Sequence, residues 1–146
     1  MSENKIYKVM FLCTGNSCRS QMAEGLAREL GSGTIEPYSA GLIPAGINPN
    51  AITVMNEIGI DISGQISEVI DNDLLNEMDV IMTLCSHADA SCPVTPGGIK
   101  RFHTPVDDPV GAVGTEEEVL DAFRKARDEI SDKINDLIRW LKSSNL

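Results

Sequence analysis

The sequence IYKVMFL at residues 6–12, followed by CTGNSCRS at residues 13–20, decides the fold class of this chain. The first stretch is a short, mostly apolar run, which is typical of a buried parallel strand. The second is a polar turn that contains a glycine, and it leads into residues 20–30, where apolar residues recur at helical spacing. A buried strand, a turn and a helix in this order begin a βαβ unit, so the sequence predicts a parallel sheet.

Strands and helices continue to alternate along the rest of the chain. We expect strands at residues 35–39, 79–84 and 99–103, helices at 48–58 and 73–77, and a short helix or loop at 86–91. From residue 115 the sequence TEEE is typical of a helix start, and the apolar residues after it recur three and four positions apart up to Leu141. Because no repeat or linker interrupts the chain, we predict a single domain, residues 1–146. Its predicted architecture is a three-layer α/β fold, a four-stranded parallel sheet with helices on both faces.

Composition excludes several functional classes. The 146 residues are 42% hydrophobic and 23% charged, as in ordinary globular proteins. The formal net charge of −10 disfavours nucleic-acid binding, because the field of the protein repels phosphate backbones. No apolar run has the roughly 20 residues that cross a bilayer, and the N-terminus does not resemble a signal peptide. We therefore expect a cytoplasmic monomer that binds neither nucleic acid nor membrane, and whose anionic ligand is held by a local site.

The turn after the first predicted strand has the composition of an oxyanion-binding loop. Ligands of open α/β sheets bind at the carboxyl ends of strands, where this turn lies. Gly15 and Asn16 tolerate unusual backbone angles, so successive N–H groups can point at an anion, and the next helix adds its positive end. Arg19 offers a bidentate guanidinium, and the same positive field favours a thiolate at Cys13, within hydrogen-bonding reach of Ser20. The predicted oxyanion-binding residues are Thr14, Gly15, Asn16, Ser17, Cys18, Arg19 and Ser20.

The stretch CTGNSCRSQMAEG at residues 13–25 resembles the thioredoxin-coupled arsenate reductases, which share the fold of the low-molecular-weight protein tyrosine phosphatases. The resemblance covers nearly the whole chain, and includes YSAG at 38–41, VIMTLC at 80–85 and DDP at 107–109. It implies that Cys13 is the nucleophile, that Arg19 binds the oxyanion and that Asp108 protonates the leaving group. A role as helix cap or turn residue remains the alternative for Asp108, since Asp–Pro is a common turn signal.

Two further cysteines favour a reductase over a phosphatase, which needs only one. Cys85 ends the third predicted strand region and Cys92 lies seven residues later. A thiol pair can supply the two electrons that reduce arsenate to arsenite, and becomes a disulfide. The resemblance implies a relay: Cys13 attacks arsenate, Cys85 displaces arsenite from Cys13, and Cys92 then pairs with Cys85 in a disulfide that thioredoxin or glutaredoxin reduces. The cysteine spacing does not match a zinc site, and we interpret Cys18 as a packing residue.

We expect no tightly bound cofactor. The resemblance also implies a potassium ion beside the loop. Its predicted ligands are Asn16, Glu24, Ser39 and Glu68. Two alternatives stay open, a loop-bracing role for Asn16 and an exposed helix position for Glu24. The isolated His87 and His103 are assigned no role.

Two other functions compete with arsenate reduction. One is a phosphatase that acts on phosphotyrosine or another phosphomonoester, and the other is a non-enzymatic, redox-sensing module that binds an oxyanion. Aromatic residues make up only 4% of the chain, which leaves few side chains to stack on a phosphotyrosine. We therefore expect arsenate as the substrate, with phosphate or sulfate as analogues.

Overall fold

The first strand lies inside the sheet and pairs with a strand on each side. A computed structural model describes residues 5–143, and its strands are β1 (Tyr7–Cys13), β2 (Ile35–Gly41), β3 (Val80–Thr83) and β4 (Lys100–His103). The sheet order is β2-β1-β3-β4 and every pairing is parallel. The predicted four-stranded parallel sheet is therefore confirmed. β2 extends two residues beyond the predicted end at residue 39, because its register pairs Gly41 with Cys13.

The helices follow the predicted order. They are α1 (Arg19–Leu30), α2 (Pro49–Asn56), α3 (Asn72–Leu75), α4 (Ser86–Ser91) and α5 (Glu116–Ser143), with a 3₁₀ turn at Pro109–Gly111 before α5. The Thr115 hydroxyl accepts from the Glu118 amide at 3.1 Å, and the Glu118 carboxylate accepts from the Thr115 amide at 3.1 Å. This reciprocal capping box explains why α5 begins directly after Thr115. No helix in the described part of the chain combines the length and apolarity that a membrane crossing requires.

Both faces of the sheet are covered, so the strands are apolar on both sides. Along β1, Val9 and Phe11 belong to a cluster that contains buried residues of α1, α2 and α5. Met10 and Leu12 belong to a second cluster with Leu75 of α3 and Ala88 of α4. The two-residue period of the strand thus divides the core into two halves, and the three-layer prediction is confirmed.

The topology brings two loops to one edge of the sheet. β1 and β3 are neighbours, with Leu12 opposite Thr83, so both strands end at the same level. The loop after β1 begins with Thr14, and Cys85 follows β3. The carboxyl edge therefore holds the predicted oxyanion loop and a second cysteine side by side.

Candidate active site

The loop at residues 14–18 directs its carbonyl groups away from its centre. The carbonyl of Thr14 accepts from the amides of Leu42 and Ile43, at 2.8 and 3.0 Å. Farther along, the carbonyl of Gly15 accepts from Ala45 at 2.9 Å and that of Ser17 from Asn48 at 2.9 Å. Within residues 5–143, the amides of residues 15–18 donate to no protein acceptor. A peptide chain with its carbonyls bonded outward and its amides free is an anion-binding nest.

Asn16 holds this loop in shape. It is fully buried and has a left-handed φ of 46°, a conformation in which asparagine is enriched. Its side-chain oxygen accepts from the Glu68 amide at 2.7 Å, and its side-chain nitrogen donates to the Ser20 hydroxyl at 2.8 Å. These contacts agree with the alternative that Asn16 braces the loop. Gly15, which also tolerates unusual backbone angles, is not among the residues with positive φ.

Gly41 contributes to the site by having no side chain. A Cβ atom at this position would lie 2.6 Å from the Asn16 amide nitrogen and 2.8 Å from the Thr14 carbonyl oxygen. Only glycine lets the end of β2 approach the loop this closely. Sequence reasoning did not identify Gly41 as a site residue, because the need for glycine arises from a contact between distant segments.

Cys13 and Ser20 form the predicted hydrogen bond, with sulfur and oxygen 2.8 Å apart. The Glu68 amide fixes the orientation of the Asn16 amide group, which then donates to Ser20. Because the Ser20 oxygen already accepts this bond, its own hydrogen is available to the Cys13 sulfur. The Ser20 hydroxyl can therefore donate to the Cys13 sulfur.

Arg19 is buried beneath the loop and is bound on several sides. One terminal nitrogen donates to the carbonyls of Val106 and Leu84 at 2.9 and 3.4 Å. The other lies 3.5 Å from a carboxylate oxygen of Asp108. The second Asp108 oxygen accepts from the Val110 amide at 3.0 Å, which caps the 3₁₀ turn. Asp108 therefore caps the turn and also lies at the site, with its side chain partly exposed to solvent.

The four cysteines divide between the two faces of the sheet, and all are free thiols. Cys13 and Cys85 belong to the cluster beneath α3 and α4, and the half-buried Cys92 packs against it. Cys18 belongs to the opposite cluster. Burial raises the pKa of the Cys18 thiol far above its ordinary value, and the negative charges of Cys13 and Asp108 raise it further. Cys18 therefore stays protonated.

Cys85 and Cys92 flank α4. Cys85 is the N-cap, where its sulfur accepts from the Ala88 amide at 3.3 Å and lies 3.2 Å from the Thr14 hydroxyl. Cys92 is the C-cap of the same helix. The Thr14 contact connects Cys85 directly to the oxyanion loop. Thr14 was predicted as an oxyanion-binding residue, and its contact with a second cysteine depends on the pairing of β1 with β3.

Residues 8–145 match the family of the low molecular weight phosphotyrosine protein phosphatases. The chain belongs to this family. An arsenate reductase from Bacillus subtilis strain 168 is 52% identical over 134 residues, which cover 92% of this chain and 95% of that protein. Two solved arsenate reductase structures are also similar. One, in the phosphate binding state, has a TM-score of 0.76 at 38% identity, and covers 93% of this chain and 99% of its own. The other, in the oxidized state, has a TM-score of 0.79 at 37% identity, with the same coverage. The resemblance to the arsenate reductase branch is therefore confirmed.

One pocket of about 430 Å³ is lined by three of the four predicted potassium ligands, Glu24, Ser39 and Glu68. The Glu24 carboxylate there already accepts from the Ser39 hydroxyl at 2.5 Å and from Arg28 at 2.6 Å. The Arg28 guanidinium supplies the positive charge that a cation would bring, and the Glu24 side chain is half-buried rather than exposed. Asn16 has both its polar atoms in other hydrogen bonds. The potassium site stays a prediction.

Contacts are described for one of the two histidines, His103. His103, which was assigned no role, lies with its ring nitrogen 3.0 Å from the Thr83 hydroxyl and 3.9 Å from the Asp89 carboxylate of α4. The side chain of His87 lies outside the described residues.

Substitution of Gly41 tests the loop geometry. Gly41→Ala should weaken phosphate binding by about tenfold or more, because the new Cβ must displace the loop amides, and small displacements in a preorganised site are costly. Binding is measured as the protection that phosphate gives Cys13 against iodoacetamide. Gly98→Ala, where a Cβ meets open space, is the matched control. Equal protection in the two variants would show that the close approach of β2 is unimportant.

Proposed function

We propose that this chain reduces arsenate to arsenite through a Cys13 adduct and a relay of the Cys13, Cys85 and Cys92 thiols. One observation carries the proposal: these three cysteines share a cluster on one face of the sheet, next to an anion-binding loop. A phosphatase would need Cys13 alone. The arsenate reductase of Bacillus subtilis, 52% identical, supports the same reaction for this chain.

The first step forms a bond between sulfur and arsenic. Arsenate enters the loop, where the free amides and Arg19 stabilise its oxygens. The Cys13 thiolate attacks arsenic, and a hydroxyl group leaves with a proton from Asp108 as water. Val106 and Leu84 hold the Arg19 guanidinium from behind, so its position does not depend on the substrate.

The second step reduces arsenic. The Cys85 thiolate attacks the Cys13 sulfur, the sulfur–arsenic bond breaks, and its electron pair stays on arsenic as arsenite leaves. A Cys13–Cys85 disulfide remains, so two thiols have supplied two electrons. The Ala88 amide and the Thr14 hydroxyl each lie within hydrogen-bonding distance of the Cys85 sulfur and hold it beside the loop.

The third step restores the loop. The Cys92 thiolate attacks Cys85, which releases the Cys13 thiolate and leaves a Cys85–Cys92 disulfide. A dithiol protein, thioredoxin or glutaredoxin, then reduces this disulfide and becomes oxidised itself. Because one chain contributes all three thiols, a monomer suffices. The proposed relay starts from reduced thiols, which persist in a reducing compartment, and this supports a cytoplasmic location.

Loss of the nucleophile or the oxyanion clamp tests the loop. Cys13→Ser should abolish arsenate reduction, because a hydroxyl is not ionised near neutral pH. Arg19→Lys should lower turnover by about 100-fold or more, since an ammonium cannot form the planar bidentate contact. The assay couples arsenate reduction to thioredoxin, thioredoxin reductase and NADPH oxidation. Cys18→Ala, which removes a thiol on the opposite face, should keep most of the activity. Near-normal turnover in either loop variant would remove the loop from the mechanism.

Substitution of the other two relay cysteines separates arsenate chemistry from recycling. Cys85→Ser and Cys92→Ser should both lose multiple-turnover arsenate reduction. Both should retain slow hydrolysis of p-nitrophenyl phosphate, which needs only Cys13, Arg19 and Asp108. Cys92→Ser should release one arsenite per enzyme and stop with a Cys13–Cys85 disulfide, detected by mass spectrometry. Repeated turnover of Cys92→Ser with thioredoxin would rule out the three-thiol relay.

Formation of the second disulfide requires α4 to change. Seven residues of continuous helix separate Cα atoms by about 10 Å, whereas a disulfide needs them within about 7 Å. Ala88 is buried, but Ser86, Ala90 and Ser91 are exposed, so few contacts hold the helix. We expect hydrogen exchange to show loss of protection across residues 85–92 in the oxidised protein, with the Cys85–Cys92 bond confirmed by mass spectrometry. Protection in α5 should stay constant. Unchanged exchange across residues 85–92 would contradict the remodelling.

A further inference from the structure

Cys92 lies in surroundings that oppose its proposed chemistry. Burial raises the pKa of its thiol, and the nearby Asp89 carboxylate raises it as well. The nucleophile of the third step has to be a thiolate. Something on the protein therefore has to favour the charged form of Cys92 and keep it near Cys85 while α4 unwinds.

Arg101 of β4 is placed to do both. It pairs with Ile81 of β3, which belongs to the same cluster as Cys13 and Cys85. Its guanidinium donates to the carbonyl of Pro93, the residue after Cys92, at 3.0 Å. The positive charge of Arg101 also lowers the pKa of the Cys92 thiol, against the effects of burial and Asp89.

The contact with Pro93 matters because of where it attaches. It joins β4, a strand of the sheet, to the chain just beyond the end of α4. When residues 86–91 lose their helical form, this contact can hold the Cys92 end of the segment against the sheet. The moving segment is then tethered at both ends, since Cys85 continues directly from β3.

We propose that Arg101 is a positioning residue for the third step, in which its guanidinium anchors the segment after Cys92 and stabilises the Cys92 thiolate that attacks Cys85. The inference rests on the proposed function, because it assigns a helper to the last thiol of that relay. In the step, the Cys92 sulfur bonds to the Cys85 sulfur, the Cys13–Cys85 bond breaks, and the electron pair leaves on Cys13.

The charged groups that face Cys92 come from two elements. Asp89 approaches from α4 and Arg101 from β4. The cluster against which Cys92 packs also contains the thiols of Cys13 and Cys85 and the phenol of Tyr38. Arg101 is the cationic group among these, so its removal should leave the effects of burial and Asp89 unopposed.

The first test measures the thiolate directly. In a chain that carries Cys13→Ser and Cys85→Ser, the rate of Cys92 alkylation by iodoacetamide is followed against pH. Arg101→Met should move the midpoint upward by about 0.5 to 1 pH unit, and Arg101→Lys should restore part of the shift. Lys100→Met removes a cation from the neighbouring strand position and should leave the midpoint unchanged. An unchanged midpoint in Arg101→Met, or an equal shift in Lys100→Met, would overturn the inference.

The second test follows the exchange in the chain with all its cysteines. After one turnover with arsenate, the protein is quenched with acid and its disulfides are quantified by mass spectrometry. Arg101→Met should accumulate Cys13–Cys85 and form Cys85–Cys92 about threefold to tenfold more slowly near neutral pH, with the deficit shrinking as pH rises. Arg101→Gln serves as a second uncharged variant should the methionine variant fold poorly, as judged by circular dichroism.

The two proposals fail in different ways. If Cys92→Ser stops at Cys13–Cys85 while Arg101→Met and Arg101→Gln exchange at the parental rate, the relay stands and the role of Arg101 is refuted. If Cys92→Ser sustains turnover, the relay itself is wrong.

Discussion

The outward bonding of the loop carbonyls is the constraint on which the site depends. Residues 42–48 pack against the loop, and backbone amides in this segment donate to the carbonyls of Thr14, Gly15 and Ser17. Each of these bonds turns a loop amide toward the centre of the loop. The arrangement needs β2 to end close against the loop, which the missing side chain of Gly41 permits. The packing of the backbone thus forms an oxyanion-binding site before any charged side chain contributes to affinity.

A chain with a net charge of −10 has to concentrate positive potential locally if it is to bind an anion. Here the free amides, the beginning of α1 and the guanidinium of Arg19 supply that potential. Cys18, the N-cap of α1, makes no side-chain capping hydrogen bond, so the helix leaves its first N–H groups to the site. The Arg19 guanidinium is buried, and the carbonyls and Asp108 around it offset the cost of its desolvation.

The sheet separates reactive thiols from an unreactive one. The cluster on one face of the sheet contains Cys18, and the cluster on the other face holds the other three cysteines. The thin covering of α3 and α4 on the reactive side contrasts with the long α5 on the opposite side. The short helix between the two cysteines therefore lies on the side with the thinner covering.

Local sequence patterns determined the fold class and the position of the loop. Hydrophobic periods of two and of three to four residues predicted the strands and helices, and the capping box predicted the start of α5, because these signals act between near neighbours. The same local pattern singled out Cys13, Arg19 and Ser20. Tertiary structure alone decided the rest. Strand order and register place Cys18 on the opposite face from the other cysteines and bring Gly41 against the loop. They also bring Ser39 to Glu24 in the predicted cation pocket, and Arg101 to the chain beside Cys92. Those contacts join segments far apart in the chain, and no periodicity within one segment encodes them.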